Sequence, residues 1–305
     1  MSKFYSNGKL LISGEYVVLD GATALAVPTR FGQSMEIEAI DQNLIIWKSF
    51  DEGGNLWLEQ EILFSELEKD IPKIDTLNPT ETLKAILSEA KKLNPSFLNG
   101  ENGYKVQCRL GFPRNWGLGS SSTLINNIAN WASVNPYHLL KRTFGGSGYD
   151  IACARNDSPL SFKIEADKSH IIEQVAFHPI FHDKLYFVHL NEKQNSREQV
   201  NHYKNLGLKD KNVIERISDI TDYMINCNAC SDFVGLMEQH EDIISKALQM
   251  KAIKQLKFPD FNGGLKSLGA WGGDFILAAS EDDVYSYFQE KGFNTILKYE
   301  EMILT

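Results

Sequence analysis

Eleven residues constrain this chain more than any others. Positions 113–123 read PRNWGLGSSST and stand between a strand-like segment and an apolar-periodic helix. Gly117 and Gly119 let the backbone turn successive N–H groups toward one point, and a helix beginning near Ser120 adds the positive end of its dipole. Such a loop is suited to phosphate. The hydroxyls of Ser120, Ser121 and Ser122 can cap the helix, donate to phosphate oxygens or ligate a magnesium ion carried by a nucleotide. The same residues would also make an ordinary glycine turn with a helix cap, and the loop alone leaves both readings open.

The rest of the chain has to supply what surrounds the loop. With 305 residues and 43% hydrophobic content, it can build two packed domains with cores of their own. A net charge of −9 without a sizeable lysine or arginine cluster argues against nucleic acid and anionic membranes as partners, so an anion must be bound locally. The opening MSKFYSNGKLLISGEY lacks the long apolar core and cleavage site of a secretory leader, which predicts a soluble, cytoplasmic protein. Cys108, Cys153, Cys227 and Cys230 are too scattered for a disulfide framework. The CNAC at 227–230 has no second pair for zinc, and reduced thiols on helix faces are expected.

Strand signals dominate the first hundred residues. Residues 9–12 and 16–19 are short apolar runs, and 35–39 alternates as a half-buried strand does. Segments 44–50 and 55–63 flank the turn Asp51-Glu52-Gly53-Gly54 and predict a hairpin. Helical spacing follows over 80–93, then a strand over 104–110 that leads into the glycine-serine loop, and a helix over 120–132. Further on, strands are expected at 160–165, 171–177 and 184–190, helices at 197–206, 212–226 and 230–249, and a strand, helix and strand at 275–279, 282–291 and 295–299. An α+β protein of two domains results, 1–180 with the phosphate loop and 181–305.

Two more segments carry chemistry. In GGSGYDIACA, residues 145–154, a lone acid, Asp150, stands where a flexible turn meets a buried element, as a base, a metal ligand or a plain N-cap would. In GGLKSLGAWGGD, residues 263–274, glycines precede an apolar strand and could pass close to a ligand or form a long surface turn.

Taken together with 8–25, GKLLISGEYVVLDGATAL, these segments resemble, in order along the chain, the motifs of the GHMP kinases, the small-molecule kinases that include galactokinase, homoserine kinase, mevalonate kinase and phosphomevalonate kinase. The resemblance implies an N-terminal domain like ribosomal protein S5 domain 2, a ferredoxin-like C-terminal domain, and ATP and Mg2+ as cofactors. It implies that Pro113, Gly117, Leu118, Gly119, Ser120, Ser121 and Ser122 hold the nucleotide, with Ser121 also the magnesium hydroxyl. Lys9 is then the cation near the transferred phosphoryl and Asp150 the carboxylate that orients or deprotonates the acceptor. Glu15, Tyr16, Ser147, Gly148, Lys193, Gly269, Ala270 and Gly272 are expected at the acceptor.

Gly14-Glu15-Tyr16 is similar to the G-E-Y of phosphomevalonate kinases more than to the G-E-H of mevalonate kinases, Gly146-Ser147-Gly148-Tyr149-Asp150 is similar to the phosphomevalonate kinase G-S-G-F-D, and the arginine-led sugar-kinase opening is absent. The function expected is transfer of the ATP γ-phosphoryl to mevalonate or phosphomevalonate by a cytoplasmic enzyme, monomer or homodimer. Phosphomevalonate would call on Lys9 with Arg114, Lys193 or Arg197 to neutralise its phosphate. The alternatives are a diphosphomevalonate decarboxylase-like enzyme and a catalytically silent nucleotide-binding homologue. Three positions depart from the pattern: Leu139 stands where many relatives carry a magnesium glutamate, Trp271 where the last motif has glycine, and Trp116 just before the loop's GLG.

Overall fold

The computed structural model describes residues 1–68, 78–100, 102–192, 196–207, 210–269, 271 and 273–304. They form two compact units. The first comprises Met1–Gly8, Phe31–Arg114 and Leu118–Arg155, and the second Lys9–Arg30, Asn115–Gly117 and Asn156–Thr305. Strands β1 (Ser2–Ser13) and β2 (Ala24–Ile40) have residues in both.

In the first unit, β3 (Leu44–Phe50) and β4 (Leu56–Leu63) make the hairpin expected from the turn between them, closed where Asp51 Oδ1 accepts from the Asn55 N–H at 2.7 Å. The helix α1 (Pro79–Leu93) starts on Asn78, whose side chain accepts from the N–H groups of Thr80 and Glu81, with proline at the first position. Strand β5 (Gly103–Leu110) pairs parallel with β3 and antiparallel with residues 33–40 of β2. Helices α2 (Ser120–Ala132), α3 (Pro136–Arg142) and α4 (Tyr149–Ala154) complete the unit. Its core joins Trp47 and Val106 from the strands to Leu83, Ile86 and Leu87 of α1 and Ile125, Ile128 and Ala129 of α2. Leu139 of α3 is fully buried in that core.

The position of α2 is fixed by polar groups as well. Ser6 Oγ donates to Asn127 Oδ1 at 2.7 Å, Asn126 Nδ2 donates to Ser6 Oγ, Asn127 Nδ2 donates to the Gln33 carbonyl and Thr123 Oγ1 donates to Gln33 Oε1. These groups are buried, so each bond made avoids the cost of an unpaired polar atom in the core.

In the second unit, residues 24–26 of β2 pair with β6 (Leu160–Ile164), and β6 with β7 (His170–Gln174). A four-stranded antiparallel sheet follows the order β11 (Ile296–Lys298), β8 (Leu185–His189), β10 (Phe275–Ala279), β9 (Gly264–Ser267). Its helices are α5 (Ser196–Leu206), α6 (Lys211–Ile225), α7 (Cys230–Leu248), α8 (Ile253–Lys257), α9 (Val284–Glu290) and α10 (Tyr299–Met302). Gly264 lets α7 approach β9: a Cβ there would stand 3.2 Å from Val234 Cγ2. Among the described residues no helix is long and apolar enough to cross a membrane.

Two expectations were overturned. The run 16–19 is not extended: Gly14 at φ 88° and Tyr16 at φ 62° turn the chain into a short 3-10 helix, Val17–Asp20. Within the glycine-rich stretch 263–274, residues 264–267 are strand β9, because β10 offers them a complete antiparallel partner. The four cysteines are free thiols, with Cys108 on a strand and Cys227 in the connection before α7 rather than on helix faces.

Candidate functional site

The phosphate loop is divided between the units. Leu118–Ser122 belong to the first, where Gly119, at φ 88°, is the N-cap of α2 and no side chain caps the helix. The first N–H groups of a helix have no partner inside it, so this end presents unpaired donors and a partial positive charge. Leu118 is buried and anchors the turn, Ser120 is half-buried, and Ser121 is exposed. Ser122 is buried and its hydroxyl donates to Asp150 Oδ2. Asp150 stands in the first turn of α4 behind Gly148, at φ 93°, whose helix is also uncapped by a side chain. Ser147 is buried, Asp150 half-buried and Pro113 half-buried. Arg114 holds its guanidinium 3.9 Å over the Trp57 ring in a cation–π contact.

In the second unit, Lys9 Nζ donates to the Gly117 carbonyl at 2.8 Å. Gly117 has φ 67°, and a Cβ there would run into the Asp274 carboxylate, so glycine is required by space as well as by conformation. Trp116 lies edge-on to Phe275, centroids 5.4 Å apart, and His189 Nε2 donates to the Asn115 carbonyl at 3.2 Å. The Tyr16 hydroxyl accepts from the Trp271 N–H at 3.0 Å, and Trp271 itself is 2% exposed. Trp271 is therefore part of the packing under the last motif. Gly269, at φ 67°, borders open space. Lys193, Ala270 and Gly272 lie outside the described residues.

Glu15 does not present its carboxylate to solvent. It is 1% exposed, and the fully buried Lys266 Nζ donates to Glu15 Oε1 and, at 3.0 Å, to the Ser267 carbonyl. His240 and Glu241 of α7 join them. The Gly14 N–H donates to His240 Nε2 at 3.0 Å, and that nitrogen lies 3.2 Å from Glu15 Oε2. Burial pushes His240 well below its ordinary value, with Lys266 adding to the effect, so the ring is neutral. Burial also raises Glu15, against the pull of the Lys266 charge and hydrogen bond. Glu241 is pushed up to about 8 by burial, with Glu15 adding repulsion and Lys266 opposing. Lys266, His240 and Glu241 were not singled out from the sequence. A signal existed, since His240 and Glu241 occupy the same stripe of α7 as Phe233, Met237, Ile244 and Leu248.

No protein-family model and no curated protein matches the sequence. Solved structures do. The mevalonate kinase of Methanococcus jannaschii superposes with a TM-score of 0.73 at 17% identity, covering 100% of this chain and 98% of that one. Streptococcus pneumoniae phosphomevalonate kinase, solved with phosphomevalonate and AMPPNP, gives 0.69 at 18% identity over 98% and 100%. Lactococcus lactis galactokinase, solved with galactose, gives 0.60 at 14% over 94% and 87%. The chain thus has the fold of the GHMP kinases, with mevalonate and phosphomevalonate kinases among its structural neighbours.

Proposed function

We propose that the protein is an ATP-dependent phosphotransferase whose acceptor is mevalonate or phosphomevalonate. The observation that carries this reading is the start of α2: a left-handed glycine N-cap, no side-chain cap, and Ser122 bonded to Asp150 of the next motif. An uncapped N terminus suits nucleotide phosphates, whose oxygens take the unpaired N–H groups. Ser122 fixes the Asp150 carboxylate, which can then accept the proton of an acceptor hydroxyl as its oxygen bonds to the γ-phosphorus and the bond to the β-phosphate oxygen breaks. In the second unit Lys9, bonded to the Gly117 carbonyl, carries the compact positive charge that the resemblance assigns to the phosphoryl oxygens. The exposed Ser121 hydroxyl and the Asp150 carboxylate are oxygen donors of the kind Mg2+ takes. That ion, when bound with the nucleotide, would offset phosphate charge. The kinase neighbours support the same reading.

Purified protein with Mg-ATP should release ADP when mevalonate or its 5-phosphate is added. Asp150→Asn should lose about 10²- to 10⁴-fold in turnover while still binding nucleotide. A second reading, a silent nucleotide-binding homologue, is favoured by one observation: Leu139, at the place of a magnesium glutamate in many relatives, is a core residue. ATP binding without ADP release on either acceptor, homoserine or common sugars would select it. Carbon dioxide release from diphosphomevalonate would select a decarboxylase instead.

A further inference from the structure

We propose that His178, His182 and Glu300 form a binding site for a divalent cation of borderline softness, for which zinc is the best match to the donors. One ligand atom from each lies within 4.8 Å of the other two. His182 Nε2 is 3.1 Å from Glu300 Oε1. Two ligands at about 2.0–2.1 Å from one ion, at an angle between a right angle and the tetrahedral value, are that far apart.

The second ring nitrogen of His182 carries the argument further. Nδ1 lies 3.0 Å from the Pro179 carbonyl oxygen, which can only accept, so Nδ1 bears a proton. In the neutral ring Nε2 then points a lone pair at the Glu300 carboxylate. Two lone pairs at that distance repel unless a proton or a cation lies between them. A histidine whose distal N–H is held by a backbone carbonyl is how imidazole ligands are oriented on metals.

The backbone around these donors is well supported. The His182 backbone N–H donates to the Pro179 carbonyl at 2.9 Å, and His178, stacked on His182 with centroids 4.4 Å apart, would turn its ring out of the stack for both imidazoles to meet one ion. Tyr299, 1% exposed and next to Glu300, meets both imidazoles at 5.6 and 6.0 Å and donates its hydroxyl to the Phe177 carbonyl. His178 and Glu300 are exposed, so an ion can enter without unfolding, and three protein ligands leave a position for water. A bound ion would join the turn before β8 to α10, whose following residues Ile303 and Leu304 bond to Thr29 and Pro28. None of the three ligands belongs to the proposed phosphate or acceptor groups, so the site does not depend on the kinase reading.

The test is titration of zinc chloride into the full-length chain, without a histidine tag, followed by calorimetry and thermal unfolding. One ion per chain and a raised Tm are expected, and His182→Ala and Glu300→Gln should each weaken binding by about tenfold or more. Cobalt(II) should give the visible absorption of a four-coordinate ion, absent in His182→Ala. The pair Cys227→Ser and Cys230→Ser should leave binding unchanged. Absence of saturable binding, or binding unaltered by His182→Ala and Glu300→Gln, would overturn the site. Loss of binding in the cysteine variant would assign the ion to the thiols and overturn it equally.

Discussion

Two carboxylates in this molecule each accept a hydrogen bond from another element's side chain, and their surroundings set them apart. Asp150, in the first unit, is half-buried and bonded to the Ser122 hydroxyl beside an uncapped helix end. Glu15, in the second, is sealed with Lys266, His240 and Glu241, none more than 3% exposed. Near solvent, a charge can gain or lose a partner at small cost, because water screens and replaces it. In the interior the same change leaves a charge with nothing to solvate it. The first arrangement is suited to chemistry on a visiting ligand. The second is suited to holding Gly14, Glu15 and β9 in one configuration, although the motif that contains Glu15 resembles an acceptor-lining one.

Experiments can break this contrast, beginning with the largest effect. Lys266→Met removes the cation of the buried cluster and should cost about 3–5 kcal/mol of unfolding free energy in urea titrations. A loss below about 1 kcal/mol would mean the cluster is hydrated and the two carboxylates are not different in kind. The pH dependence comes next. Glu241 holds its proton up to about 8 in the folded protein, whereas the unfolded chain releases it near its ordinary value of 4.5. The folded state therefore binds more protons across that window, and this group's contribution to stability is full below about 4.5 and declines as pH rises toward 8, by at most about 4 kcal/mol. Glu241→Gln should flatten that decline, and unfolding curves at pH 5 and 8 that fall in parallel for both proteins would contradict the assignment.

Smaller effects are expected at the open end of α2. Gly119→Val puts a β-branched residue at φ 88°, costing about 1–2 kcal/mol, and sets a side chain beside the unpaired N–H groups. ATP affinity should fall with it, and undiminished affinity would remove the phosphate loop from the proposal. Ser122→Ala should cost about 1 kcal/mol in stability, lower turnover by loosening Asp150, and leave nucleotide affinity near its original value. A wild-type turnover in that variant would show that Asp150 does not need the hydroxyl.

Much of the fold was legible because its signals are local. The hairpin of β3 and β4 came from two segments flanking the turn Asp51 to Gly54, and β5 running into α2 came from a change of period across glycines. Strand β10 has the ends its apolar run implied. Residues 16–19 misled because apolar composition does not record the positive φ of Gly14 and Tyr16. Strand β9 was hidden because its hydrogen bonds come from β10, and Lys266 was hidden with it. At the site, Ser122 and Asp150 were both read as chemically important, but the bond between them was not.

By itself, the sequence determined most of the strands and helices, where glycines must turn the backbone, and which motifs a phosphate could use, since each follows from neighbours a few residues apart. Tertiary structure decided what those residues face. Each unit is assembled from three separated stretches, and a Glu15 enclosed by Lys266 and α7 and a Trp271 packed on Tyr16 depend on residues more than 200 positions apart meeting in space. Solvation is set by such meetings, and solvation determines whether a carboxylate, an amine or an imidazole is available for chemistry or is held as structure.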